Sequence, residues 1–310
     1  MSSPPSAPTR PPDQQIDAPA LLRQLRRLAR QPEPPWLHAD IAARMAERLP
    51  LIKLQPPRVL QWSAFLGASE AALRAAYPQA EQLLVEPIAA LRERSQTLAP
   101  KKGGWWTAWR GRESAPAAPV WLPQEAPESA AELLWANMYL HLSPDPQALL
   151  RLWHRALAVD GFVMFSCLGP DSWRELRTLY ASLGWGFAGP EWIDMHDVGD
   201  MLVEAGFADP VMDQERITLT WGEPAKLLDD LRTLGGNLSP GRFAGWRTPA
   251  WRRGLLRELE RLRGPDGRLR LSLELVYGHA FKPPPRLKVA AETRVSLDQM
   301  RSLVRGKSGE

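Results

Sequence analysis

Chemistry in this chain starts where strand-like apolar runs stop. Val59-Leu60-Gln61-Trp62-Ser63-Ala64-Phe65-Leu66-Gly67 carries an apolar strand into a loop, and Gln82-Leu83-Leu84-Val85-Glu86 ends a second strand on an acid before Pro87. A carboxylate at the carboxyl end of a strand accepts hydrogen bonds from paired hydroxyls such as those of a ribose, and the plain alternative is a surface glutamate before a proline. Further along, Asn137-Met138-Tyr139-Leu140-His141 sets an amide, a phenol and an imidazole within five residues. The spacing of His141 to Asp145 suits a local turn or one orienting carboxylate, and falls short of a metal triad. Trp192-Ile193-Asp194-Met195-His196-Asp197 is a second polar cluster, in which Asp197 reads as the N-cap of a following helix and His196 faces a cavity or solvent.

These groups need a scaffold, and the order of segments provides one. Strand candidates at 58–62, 82–86, 132–137 and 162–166 alternate with helices at 70–77, 88–97 and 146–157. Such alternation predicts right-handed parallel crossovers and a doubly wound sheet. A third strand is expected at Trp105–Trp109, with 110–119 as loop. Helices are expected over 172–183, 197–205, 225–234 and 251–262, with extended segments at 211–221 and 271–280. Leu21–Arg30 reads as a short basic amphipathic helix and 39–48 as another.

Length and composition bound the possibilities. The 310 residues allow one main α/β domain. Residues 1–20 are rich in Pro, Ser and Ala and are expected to be disordered, 21–35 to be the basic helix and linker, 36–281 the domain with C-terminal cap elements, and 282–310 a basic flexible tail. The formal charge of +4 permits an acidic partner without naming one. A single cysteine, Cys167, excludes an intrachain disulfide and a multi-cysteine metal site, and its apolar neighbours place it in a strand interior. No run approaches the roughly 20 apolar residues of a membrane span. Cytoplasmic residence is therefore expected. The 14 tryptophans follow no fixed period, and no zinc-finger or RNP-like motif accompanies the basic charge, so nucleic-acid binding is not expected.

The block ELLWANMYLHLSPDPQALLRLWHRALAVDGFVMFSCLGPDSWRELR, continued by WIDMHDVGDMLVEAGFADPVMD, resembles the class I S-adenosylmethionine-dependent methyltransferases. Within them it is most similar to the malonyl-acyl-carrier-protein O-methyltransferases of biotin synthesis, over roughly residues 36–281. The resemblance implies a Rossmann-like three-layer α/β sandwich with a C-terminal cap or lid, and S-adenosyl-L-methionine as cofactor if the chain is active, otherwise none. On the family's loop motif, the acid falls at Gln61 and the three glycines at Ser63, Phe65 and Gly67, so only Gly67 keeps the motif. Phe65 must either point away by moving the loop or fill part of the pocket.

By the same resemblance Glu86 receives the ribose hydroxyls, and Asn137 orders backbone around the cofactor. Tyr139 and His141 face the donor methyl or the substrate, and His196 lines the acceptor cavity. Arg174, Arg177 and Arg242 attract a carboxylate or a phosphopantetheine-linked substrate. The contact to adenine has no clear counterpart around Trp109–Trp121, with Glu125 as a substitute or a solvated loop acid. Two functions follow. One is methyl transfer to the free carboxylate of a malonyl thioester, with an acyl carrier protein as partner; the other is an inactive methyltransferase-like assembly or regulatory protein.

Overall fold

The computed structural model describes residues 14–98 and 119–285. Seven strands, β1 (Arg58–Trp62), β2 (Glu81–Val85), β3 (Val120–Trp121), β4 (Ala131–Ala136), β5 (Leu157–Leu168), β6 (Ala208–Trp221) and β7 (Leu269–Phe281), form one sheet. Their order is β3-β2-β1-β4-β5-β7-β6. The first five run parallel, and β7 is antiparallel to both β5 and β6. Strand order reverses between β1 and β4, so the loops leaving these two strands open a crevice at the carboxyl edge. Ligands of doubly wound folds bind at such a switch point. The expected class I methyltransferase-like sandwich is thus the fold observed.

Helices cover both faces. On one, α6 (Pro146–Ala156) and α8 (Met195–Glu204) bury Leu150, Trp153, Val198 and Leu202 against Leu60, Trp62, Leu134 and Phe165. On the other, α2 (Trp36–Ala46) and α4 (Glu70–Ala76) bury Leu37, Ile41, Met45 and Leu73 against Val59, Leu133, Trp135 and Phe162. Adjacent strand residues therefore feed opposite cores, as the two-residue side-chain period requires. A cap of α7 (Arg174–Ser182), α9 (Pro224–Thr233) and α10 (Pro249–Leu259) closes around Leu179, Leu227, Leu255 and Leu259 over the far ends of β6 and β7. Cys167 lies in the first core, where burial pushes its thiol up to about 12, as a structural rather than a reactive thiol.

Three expectations change. The basic helix α1 runs Ala18–Leu28 and begins inside the segment expected to be disordered; Asp17 caps it by accepting from the Ala20 amide at 2.9 Å, and the Asp17 amide donates to Leu238 O at 2.9 Å. Its Leu21, Leu25 and Leu28 are buried, so the apolar stripe docks on the body. The seat beside β2 is taken by Val120–Trp121; the strand expected at Trp105–Trp109 lies outside the described residues, as do 1–13 and 286–310. The N-cap of α8 is Asp194, which accepts from the His196 amide at 2.8 Å, while Asp197 sits exposed in the first turn. Both acids fit the sequence rule, and the chain uses the earlier one because its backbone there is still extended, at φ −65° and ψ 152°.

One glycine decides how closely β4 and β5 approach. A Cβ at Gly161 would lie 2.7 Å from the Glu132 carbonyl oxygen and 3.0 Å from that of Ala158, beside a register shift in this strand pair. Gly161→Ala is expected to cost about 1–3 kcal/mol of unfolding free energy in a urea titration. Gly254→Ala, at a position in α10 with open space around it, should instead stabilise by roughly 0.4–1 kcal/mol.

Candidate functional site

The loop leaving β1 keeps a glycine-like backbone without the glycines. Ser63 has φ 56° and ψ 53°, the left-handed conformation that costs an L-residue about 1–2 kcal/mol, and the chain then makes one helical turn, α3 (Ala64–Gly67). Gly67 is not demanded by internal packing, since a Cβ there would meet only ordinary contacts at 3.7–3.8 Å, on Asn137 and Ser69. Gln61 is buried and donates through Nε2 to Gln82 Oε1 at 3.0 Å, so it spans β1 and β2 as a neutral amide.

Glu86 is fully buried, in correction of a surface glutamate. Its Oε1 accepts from the Phe65 amide at 2.7 Å and from Ser95 Oγ, on α5 (Ala89–Leu98), at 2.6 Å. Oε2 is buried without a partner. Burial lifts the carboxyl to about 7 against the two hydrogen bonds that favour its charge. Tyr139 is half-buried, and burial together with the charge of Glu86 raises its phenol above the ordinary value.

Asn137, at the end of β4, ties the crevice together. Its Nδ2 donates to Gly67 O and to His38 O, each at 2.7 Å, and its Oδ1 accepts from Ser166 Oγ at 2.6 Å. His38, in α2, meets the same loop through Nδ1 and Leu66 O at 2.7 Å, and burial drives its pKa down to about 4. His38 was missed in the sequence, although Ile41, Ala42 and Met45 follow it at helical spacing and mark it as inward-facing.

Phe65 does not lie free in the crevice. Its ring packs with Leu66, Leu91 and Ile88 beneath Leu21, Leu25 and Leu28 of α1, and the Arg94 guanidinium sits over it at 4.1 Å. α1 thereby covers the β1 loop, and through Leu238 and Leu142 it reaches the cap side as well.

His141 is buried, lines a cavity of about 450 Å³, and leaves its Nδ1 without a partner. Burial, and secondarily the nearby His38, lowers it to about 3, so it stays a neutral imidazole. Asp145 is no partner to it; that carboxylate caps α6 by accepting from the Ala148 amide at 2.8 Å. The cavity walls are largely apolar, with Trp173, Leu176, Tyr180, Trp192 and Leu255 among them, and arginines 232, 247 and 252 contribute to the lining.

Other expected site residues lie elsewhere. His196 is exposed, with Nδ1 2.7 Å from Asp194 Oδ1, and does not line the cavity. Arg174 is exposed and bonds Glu175 at 3.5 Å. Arg177 donates to Ser172 O at 2.7 Å and to Pro170 O, bracing the turn after β5. Arg242 pairs with Asp17 at 2.7 Å, fastening the cap-side loop to the start of α1. Arg177 and Arg242 are engaged within the fold, whereas Arg174 stays on the surface. The three cavity arginines come instead from the end of α9, the loop after it and α10, where no motif marks them. Glu125 is a local loop acid that accepts from the Leu122 amide at 3.0 Å and from Arg92.

No family model matches the chain. It is 38% identical over 256 residues, 81% of its own length and 86% of the relative's, to a malonyl-acyl-carrier-protein O-methyltransferase of Gallionella capsiferriformans (strain ES-2). A second of that name, from Laribacter hongkongensis (strain HLHK9), is 36% identical over 275 residues, covering 86% and 88%. The chain belongs to the malonyl-acyl-carrier-protein O-methyltransferase family. Malonyl-acyl-carrier-protein O-methyltransferase 1 of Coxiella burnetii (strain RSA 493 / Nine Mile phase I) is similar at 33% over 243 residues. The family places the chain among the class I S-adenosylmethionine-dependent methyltransferases.

The residues present fit that cofactor at its ribose end. The orphaned Oε2 of Glu86 suits a hydroxyl donor, Gly67 leaves room beside Asn137 O, and the Ser63 backbone keeps the loop's path. Gln61, at the position where the resemblance expects an acid, presents a neutral amide bonded to Gln82. Among the described residues no helix is long and apolar enough to cross a membrane, and no cluster of metal-binding side chains is found.

The raised Glu86 predicts a pH signature. With its folded pKa near 7 against an ordinary value of 4.5, the folded state holds a proton that the unfolded state has lost. Its contribution to stability is therefore present below the ordinary value and declines as pH rises through about 7. Glu86→Gln removes this loss, so variant minus wild-type stability should grow by on the order of 2–3 kcal/mol between about pH 5 and about pH 8 in denaturant titrations. A pH-independent difference would contradict the assignment.

Proposed function

We propose that the protein transfers a methyl group from S-adenosylmethionine to the free carboxylate of a thioester-linked acid, a malonyl thioester in the first instance. The observation carrying this reading is the placement of His141 on the lining of the apolar cavity, four residues after Asn137, which pins the β1 loop. Bound S-adenosylmethionine supplies an electrophilic methyl carbon on a positively charged sulfur. Glu86 Oε2 would accept a hydrogen bond from a ribose hydroxyl, while Asn137 holds the Gly67 carbonyl of the neighbouring loop. His141, kept neutral by burial, lines the acceptor cavity and can donate one ring N–H to an oxygen of the acceptor carboxylate. The other oxygen already holds its lone pair, so no general base is needed, and alignment is the main contribution of the chain.

Arginines 232, 247 and 252 form no ion pair among the described residues with any carboxylate. They give the exposed part of the cavity lining a positive character suited to the phosphate of a carrier arm and to an acidic carrier protein. The relatives' names specify such a carrier as their substrate's attachment.

A second reading is favoured by three observations: Glu86 has no exposure, the Phe65 amide occupies its Oε1, and α1 packs over the loop. On that reading the chain keeps the fold and the acceptor chamber without methyl transfer. Calorimetric titration with S-adenosylmethionine and S-adenosylhomocysteine separates the two. Wild-type protein is expected to bind at micromolar levels, with Phe65→Gly and Gln61→Asp each tightening binding by about tenfold, or about 1.4 kcal/mol. Methyl ester formation on a malonyl thioester should follow by mass spectrometry. Absence of binding in all three proteins would overturn the methyltransferase reading.

A further inference from the structure

The crevice that the cofactor reading requires is shut. Gln61, Ser63, Glu86 and Asn137 are each 2% exposed or less, so a ribose hydroxyl reaches Glu86 Oε2 only if a neighbouring element moves. The element over the loop is α1. Its Leu21, Leu25 and Leu28 pack with Phe65, whose backbone amide holds Glu86. Polar contacts pin it at few points: the Asp17 carboxylate to Arg242 at 2.7 Å, the Asp17 amide to Leu238 O at 2.9 Å, and Gln24 Nε2 to Arg232 O at 2.7 Å. Arg27 donates to the same Arg232 carbonyl, and Arg94 Nη1 to Ala29 O at 3.1 Å. A helix of 11 residues is marginal without such packing, and α1 is no part of the sheet, so it can detach while the sheet stays folded.

We propose that α1 is an autoinhibitory latch: seated, as in this structure, it closes the cofactor crevice, and released at the Asp17–Arg242 pair it lets the β1 loop open to S-adenosylmethionine. Phe65 makes the latch a property of this chain, because a glycine at that position, which the resemblance expects, would give α1 no ring to grip. The covering of Glu86 is then one of two positions of α1 and no bar to function. Ile16, next to Asp17, and Leu238, which receives the Asp17 amide, both line the acceptor cavity, so the fastening adjoins that site as well. The inference rests on the cofactor reading of Glu86 and concerns access to it.

A thiol probe reads the opening without cofactor. Ser63 Oγ is buried without a partner, so Ser63→Cys strands no hydrogen bond, and the native Cys167, buried and held protonated by that burial, gives a slow background. Asp17→Asn keeps a side-chain oxygen for the α1 cap and removes the charge facing Arg242. In the Ser63→Cys protein it is expected to speed modification by dithiodipyridine about fivefold, and Leu25→Ala to speed it at least roughly thirtyfold. Gly161→Ala, which weakens the sheet and not the latch, should leave the rate within about twofold. With Ser63 intact, calorimetry should show Asp17→Asn tightening S-adenosylhomocysteine by the same factor, since ligand and probe draw on one open population. Modification that ignores Asp17→Asn and Leu25→Ala, or that follows Gly161→Ala as strongly, would overturn the latch, and so would faster modification with unchanged affinity. Faster modification in a chain that binds no S-adenosylhomocysteine in any variant would uphold α1 as the closure of the crevice and count against the cofactor reading alone.

Discussion

A single buried amide holds the two halves of this site in register. Asn137 stands at the end of β4, across the switch point from the loop that leaves β1, and it satisfies two backbone carbonyls and one hydroxyl at once. The carbonyls belong to different elements, His38 of α2 and Gly67 of α3. The hydroxyl is that of Ser166 in β5, which in turn receives the Met138 amide at 3.0 Å. An aspartate could not donate to the carbonyls, and a leucine would strand them. Each stranded buried group costs about 1–3 kcal/mol. Position, amide chemistry and the path of four elements are thus one constraint.

That anchorage explains how the β1 loop tolerates side chains foreign to a glycine-rich turn. Ser63 accepts the left-handed conformation because the backbone on either side is already fixed, by the Ser63 amide on Val85 O at 2.8 Å and the Gly67 amide on Ser63 O at 2.7 Å. Phe65 adds a ring, and the ring acquires its own packing. α1 supplies three leucines over it, and Arg94, whose Nη2 donates to Pro32 O at 2.6 Å, closes the contact from α5. The basic N-terminal helix and the altered loop are therefore two sides of one apolar cluster. Arg23 and Arg26 face water, while Leu21, Leu25 and Leu28 turn inward.

The alternation of apolar runs made the sheet legible, because every strand from β1 to β5 except β3 announces itself by a run of apolar residues between turn signals. β3 did not, being two residues long after a stretch with no periodic pattern. Asn137 and Glu86 could be placed by their positions at strand ends. Their partners could not, since Ser95 and Ser166 meet them only after helix α5 packs beside the β2 exit and β5 pairs with β4. The arginines show the limit most clearly. Arg174, Arg177 and Arg242 adjoin loops of the expected kind, yet the first stays on the surface and the other two are engaged within the fold, while arginines 232, 247 and 252 reach the cavity from segments whose sequence carries no sign of it.

The charge balance of the crevice separates this chain from what its motif would ordinarily supply. A cationic cofactor is best received by two carboxylates, one toward its ammonium and one toward its ribose. Here the first is the neutral Gln61, bonded sideways to Gln82, and the second sits in a dry setting that raises it to about 7. Near neutral pH the crevice thus offers only part of one negative charge. Any cation that settles against Glu86 favours its ionised form, so binding and deprotonation are coupled in the same direction. Burial first, and the charge of Glu86 second, hold the Tyr139 phenol in its protonated form. Affinity for a cation over its neutral analogue then depends on whether Glu86 has given up its proton, and the loop that bonds Glu86 through Phe65 becomes part of that electrostatic decision.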